Sequence, residues 1–177
     1  GRHNMFNAVT ALGMAILVGA PINCLPKALK SFRGVKRRFS YKIKKNNLIL
    51  IDDYAHHPTE IKALHQAVTE MYPNDKNQIV FQPHLFSRTK DFGIEFAESL
   101  SAFDEIILLD IYPAREKPIA GITSNWLLKM IRNDSKVIAQ KKQLSTLMKD
   151  SDCMVKLMVG AGDIGAEVDV VTKNLNY

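Results

Sequence analysis

Cysteine is scarce: the 177 residues hold two, Cys24 and Cys153, far apart and without metal-ligand spacing. That excludes a disulfide framework and fits a reducing, cytoplasmic compartment. Long apolar runs are missing as well. The longest, 11–20, has ten residues counting its two glycines, well short of the about 20 that a membrane-spanning helix needs. No charged start precedes an apolar run, so no signal peptide is expected. The chain opens on Gly1-Arg2-His3-Asn4 without methionine, as a fragment would. Nothing matches G-x-x-x-x-G-K-[S/T], and no serine or cysteine nucleophile motif appears. What remains is the composition of an ordinary globular domain, 46% hydrophobic and 24% charged. Disordered and collagen-like classes are excluded.

Positive charge is in excess, at a formal +6, and the excess is local. Lys27, Lys30, Arg33, Lys36, Arg37, Arg38, Lys42, Lys44 and Lys45 fall within nineteen residues with no acid among them. Such a run suits a polyanion, phosphates included, and equally suits a solvated basic face. A groove-reading nucleic-acid element needs more, and no zinc-finger, RRM or KH signature accompanies the run.

The apolar periodicity of 5–19 predicts a mostly buried helix, capped by Asn4 and ended by Gly19 and Pro21. A second helix is expected over 22–32. Residues 37–45 alternate loosely before the turn pair Asn46-Asn47. From there, short apolar strands at 48–51, 78–81, 105–110, 136–139 and 154–159 alternate with amphipathic helices at 59–71, 92–102, 124–131, 144–149 and 164–174. Five strands of this kind imply βαβ units: an α/β, Rossmann-like, doubly wound, mostly parallel sheet covered on both faces. Ligands of such sheets bind beyond the carboxyl ends of the strands. The informative loops are therefore 52–58, 82–90, 110–121 and 160–165.

The first of these reads Asp52-Asp53-Tyr54-Ala55-His56-His57-Pro58. Its carboxylates suit ribose hydroxyls or a cation, and its imidazoles suit phosphate or acid–base work; a helix-capping turn is the plainer alternative. The adjacent histidines do not match the spacing of zinc ligands. The second loop is Gln82-Pro83-His84-Leu85-Phe86-Ser87-Arg88-Thr89, where His84 and Arg88 suit an anionic substrate unless Arg88 merely pairs with Asp91. Gly160-Ala161-Gly162-Asp163-Ile164-Gly165 fits G-x-G-x-x-G, which raises a stand-alone NAD-type nucleotide-binding module as an alternative. The second strand and its ribose-binding acid have no counterpart in the twelve residues that follow. Asn4 and Asn7, three apart at a helix start, present carboxamides suited to a base edge. Arg37 and Arg38 stand at a domain junction, where a cation reaches phosphate.

Taken in order, Gly1-Arg2-His3-Asn4…Asn7, 32–39 (FRGVKRRF), 52–60 (DDYAHHPTE), 81–84 (FQPH), Ser87-Arg88-Thr89 and Gly160-Ala161-Gly162-Asp163 resemble the Mur ligase family, in its alanine-adding branch. The resemblance covers nearly the whole chain. It implies that 1–34 are the last helices of a central ATP-binding domain and that 35–177 are the C-terminal domain. It implies ATP-dependent joining of L-alanine to the lactyl carboxylate of UDP-N-acetylmuramate through an acyl phosphate, in cytoplasmic peptidoglycan synthesis. ATP and magnesium serve the full-length enzyme, neither is held by this segment alone, and the segment alone is inactive. The implied partners are UDP-N-acetylmuramate, L-alanine and ATP, with no nucleic acid and no membrane. By position, Asn4 and Asn7 meet adenine, Arg37 meets the ATP phosphates, and Asp53 and Tyr54 lie beside the ribose or base. His56, His84 and Arg88 face the acyl phosphate and the alanine. Arg37→Ala is expected to cut the rate and leave the fold intact. Two departures stand out: Leu85 where the family commonly has arginine, and Arg115 within Tyr112-Pro113-Ala114-Arg115-Glu116 where it has glycine. Arg115 is expected to supply the charge lost at Leu85.

Overall fold

The structure, a computed structural model, describes residues 2–32 and 34–176, with side chains from residue 5. The chain divides into two compact units, 1–36 and 37–177.

The first unit holds α1 (Arg2–Leu17), a 3-10 turn (Ile22–Cys24) and α2 (Leu25–Ser31). The helices form where the periodicity predicts them, but two expectations fail. Asn4 lies inside α1 and not ahead of it, so it does not cap the helix. The apolar stripe is not buried: Met5, Ile16 and Val18 are exposed, Val18 at 78%, and Ala8, Leu12 and Ala15 are half-buried. Two helices provide no second layer to cover such a stripe.

The second unit is the α/β domain. β1 (Ser40–Lys45) and β2 (Leu48–Asp53) form an antiparallel hairpin across Asn46-Asn47. Then follow α3 (Pro58–Met71), β3 (Asn77–Phe81), α4 (Phe86–Asp91), α5 (Gly93–Leu100), β4 (Glu105–Leu108), α6 (Ser124–Met130) and β5 (Lys136–Ile138). A 3-10 turn leads into α7 (Leu144–Asp150), β6 (Val155–Val159) and α8 (Ile164–Asn176). The sheet order is β1-β2-β6-β3-β4-β5, parallel throughout except for β1. The five apolar runs are the five parallel strands, and the alternating segment is the antiparallel edge.

Details differ from the sequence reading. Loop 82–90 contains a short helix, α4, which its polar composition hides. β4 stops at Leu108, two residues early. Thr123 caps α6 by accepting from the Trp126 amide, while Ser124 donates to the Leu109 carbonyl.

Alternate side chains of the central strands feed two cores. One face carries Ile51, Ile79, Phe81, Leu108 and Leu157 against Ile61 and Leu64 of α3, Phe96 of α5 and Leu127 of α6. The other carries Leu50, Val80, Ile107 and Met158 against Leu144 and Met148 of α7 and Val168 of α8. Each such side chain, fully buried, contributes roughly 1.5–3 kcal/mol against chain entropy. With β6 seated between β2 and β3, the loop after β6 runs to one face of the sheet and those after its neighbours run to the other. The crevices this opens at the carboxyl rim are where such folds bind ligands.

Candidate functional site

Arg37 is the first residue of the second unit and sits in the β2–β6 crevice. Its Nε donates to Asp52 Oδ1 (3.2 Å) and its Nη2 to the Gly160 carbonyl (2.6 Å). Its guanidinium lies 5.1 Å from the ring centroid of Tyr54, an exposed aromatic at 43%. The backbone locks as well: the Tyr54 amide donates to the Arg37 carbonyl (2.6 Å), with Arg37 and Phe39 left-handed at φ 58 and φ 46. Non-glycine residues adopt that region at a cost, and such strain gathers at functional sites. Arg38, by contrast, is exposed.

Asp53 fastens the turn. Its Oδ2 accepts from the Phe39 amide (2.7 Å) and its Oδ1 from the Ala55 amide (2.8 Å). Burial pushes the Asp53 carboxyl up, and those two amides oppose the shift. Asp52 is 2% exposed; burial raises it too, with Arg37 pulling the other way.

The row continues from Tyr54. Its ring meets His56 edge-on at 5.4 Å, and the His56 ring lies 6.3 Å from that of His84. His84 Nδ1 is 3.5 Å from Arg88 Nη1. Helix capping in this turn falls to His57, whose Nδ1 accepts from the Thr59 amide (3.3 Å), and to Glu60, whose Oε2 accepts from the amides of His56 (2.8 Å) and His57 (3.1 Å). Arg88 partners His84, and among the described residues it makes no ion pair with Asp91. Burial, then Arg88, then His56 lower the His84 pKa.

Tyr112, to which the sequence reading gave no role, organises the His84 end. It stacks on His84 (5.6 Å, 27°), its amide donates to the Pro83 carbonyl (2.8 Å), and its carbonyl accepts from the Leu85 amide (2.9 Å). Leu85 takes φ 73, turning the chain into α4 so that Arg88 comes back over His84. Glu116 accepts from the Ser87 hydroxyl and from its amide (3.0 Å), tying the same loop to α4. Arg115 is exposed on that loop. The signal that marks Tyr112 in sequence is its place in a loop just beyond a parallel strand.

The glycine-rich turn serves close packing. A Cβ on Gly162 would lie 2.7 Å from Tyr112 Cβ, and one on Gly165 would lie 2.7 Å from the Arg37 guanidinium. Gln82 fills the same turn, its Oε1 accepting from the Ile164 amide (2.9 Å) and its Nε2 donating to Asp163 (2.7 Å). These contacts account for the glycines without a dinucleotide, and the NAD-module alternative is not favoured.

Three of the nine cations of the basic run, Lys42, Lys44 and Lys45, lie on edge strand β1. Lys42 reaches Asp169 (3.6 Å), Lys44 lies 4.7 Å over Tyr41, and Lys42, Lys44 and Lys45 are exposed. Asn7 is exposed on α1; the Asn4 side chain and Arg33 lie outside the described residues. Among the described residues no group of three or more His, Cys, Asp or Glu is arranged to hold a metal ion. No helix of the described residues is long and apolar enough to cross a membrane.

The family model of the Mur ligase, glutamate ligase domain, matches residues 37–163. The chain belongs to the Mur ligases. Among Mur ligase relatives, the UDP-N-acetylmuramate–L-alanine ligase of Christiangramia forsetii is 64% identical over 175 residues, covering 99% of this chain and 39% of that protein. The protein of the same name from Flavobacterium psychrophilum is 58% identical over 176 residues, with the same coverage. The crystal structure of the Thermotoga maritima UDP-N-acetylmuramate–alanine ligase superposes with a TM-score of 0.77 at 29% identity, over 99% of this chain and 38% of that one. The Psychrobacter arcticus murein peptide ligase shares the fold, with a TM-score of 0.70 at 19% identity, over 99% and 37%. The chain thus spans about two fifths of the length of the Mur ligases it matches.

Proposed function

We propose that this chain is the C-terminal part of a cytoplasmic, ATP-dependent ligase that joins L-alanine to UDP-N-acetylmuramate through an acyl phosphate in peptidoglycan synthesis. Residues 1–34 end the central ATP-binding domain and 35–177 form the domain that closes over the reacting groups. The supporting observation is the unbroken row Arg37–Tyr54–His56–His84–Arg88 along one sheet rim. A cation and an exposed aromatic stand at one end, suited to nucleotide phosphates and a ribose or base, with Asp53 behind them. Two imidazoles and a second guanidinium stand at the other, suited to a carboxylate and a phosphoryl group. Charge developing on phosphoryl oxygens needs such fixed donors, and the acyl phosphate needs shelter from water. Arg37 has two of its five donors committed within the rim, to Asp52 and to the Gly160 carbonyl. Asn4 and Asn7 would contact adenine.

Phosphate release by the full-length protein tests this. With ATP, magnesium and UDP-N-acetylmuramate, release is expected to require L-alanine. Release that ignores alanine, or follows another amino acid, contradicts the reading.

A further inference from the structure

The strands also end at an opposite, amino-terminal edge, and there the second unit opens on a cleft of about 380 Å³. That volume falls within the range of small-ligand sites. The cleft exists because α7 is short. It has seven residues and stops at Asp150, and beside its last turn the starts of β4 and β5 stay partly open, with Val137 of β5 41% exposed. Ile107, Val137 and Leu147 give the cleft an apolar side.

Its charge is of one sign. Glu105, Asp134 and Asp150 line it. Two lysines stand close by, and both turn their heads to carbonyls. Lys136 Nζ donates to that of Ile131, and Lys156 Nζ to that of Ser151 (2.8 Å). The cleft also holds a buried amide. Register sets Lys156, Gln78 and Glu105 side by side across β6, β3 and β4, and Gln78 is 2% exposed. Gln78 Nε2 donates to Glu105 Oε2 (2.7 Å). A carboxylate only accepts, so this bond fixes which way the amide lies and leaves Oε1 as its other end. Among the described residues no donor reaches that oxygen. An acceptor buried without a partner costs the fold free energy until a donor is brought to it.

We propose that this cleft is a binding site for a small primary alkyl-ammonium, whose N–H bonds are shared between Gln78 Oε1 and the Glu105 carboxylate and whose stem lies on Val137 and Leu147. The class of ligand follows from the groups present. Three carboxylates repel an anion. A divalent metal takes several ligands about one point, and among the described residues no group of three or more His, Cys, Asp or Glu is so arranged. An alkyl-ammonium brings three donors on a compact charge and a hydrocarbon stem for the apolar side. A quaternary ammonium brings the charge without a donor and leaves Gln78 Oε1 unmatched. The site shares no residue with the Arg37–Arg88 rim and does not depend on the ligase reading.

Calorimetric titration of the full-length protein with n-butylammonium chloride, at fixed ionic strength, tests the site. Saturation at one site is expected, with a Kd on the order of 1 mM. Tetramethylammonium lacks the donors and 1-butanol lacks the charge, and each is expected to bind at least about tenfold more weakly. Glu105→Gln is expected to raise Kd by about tenfold or more. Val137→Trp, at an exposed position, is expected to fill the cleft and abolish binding. Glu98→Gln, on the exposed side of α5, is expected to leave Kd unchanged. Urea melts identify a Glu105 variant that fails to fold, and Val137→Trp then decides alone. Wild-type protein that gives no saturable heat overturns the proposal. So does an unchanged Kd in folded Glu105→Gln or in Val137→Trp. Equal binding of tetramethylammonium, or an equal loss in Glu98→Gln, would show attraction to charge alone and overturns it as well.

Discussion

Arg37 and Arg38 are neighbours with the same side chain and different tasks. Arg37 neutralises a carboxylate that is 2% exposed, and Arg38 projects from the surface. Arg37→Ala therefore strips the partner from buried Asp52, and a buried group left unpaired costs about 1–3 kcal/mol. The Asp52 contact adds a stability cost to the expected loss of rate, within a fold that stays intact. A lower urea midpoint for Arg37→Ala is expected, with Arg38→Ala within about 0.5 kcal/mol of the parent. Equal midpoints would contradict the tie to Asp52. The sequence shows the two arginines and the two aspartates but not which cation meets which acid. The pairing arises only when β2 and the Gly160 turn are brought side by side.

At the scale of elements, the parallel strands were legible because a strand buried on both faces is a short unbroken apolar run, as in 48–51 and 78–81. Loop chemistry was legible because ligand groups gather where such runs end. α4 was not, since six polar-flanked residues after a strained Leu85 carry no periodicity. Nor was the exposure of α1, because periodicity reports a face that seeks cover and not what covers it. The glycine turn pointed to a dinucleotide because three close approaches of protein to backbone leave the same pattern as a pyrophosphate would. Gly162→Ala tests that explanation. Its Cβ would strike Tyr112, so a loss of about 1–3 kcal/mol is expected. Full stability with an added methyl group would contradict the packing role.

For the whole molecule, burial acts on titrating groups at both ends of the sheet. His65 and His84 both have their pKa lowered from 6.5, chiefly by burial. A base held below its unfolded pKa favours folding above that pKa, and the benefit is lost as pH falls from 6.5 toward the lowered value. Stability is therefore expected to fall as pH drops below about 6.5, and His65→Gln should flatten that slope. An unchanged slope in the variant would contradict burial as its cause. The central claim, that one rim of the sheet receives the amino acid, meets its most direct test in KM for alanine. Measured on the full-length Arg88→Ala enzyme, it should rise by about tenfold or more, the effect of losing a charged contact to carboxylate, while hydroxylamine still traps the acyl phosphate. An unchanged KM for alanine would contradict it.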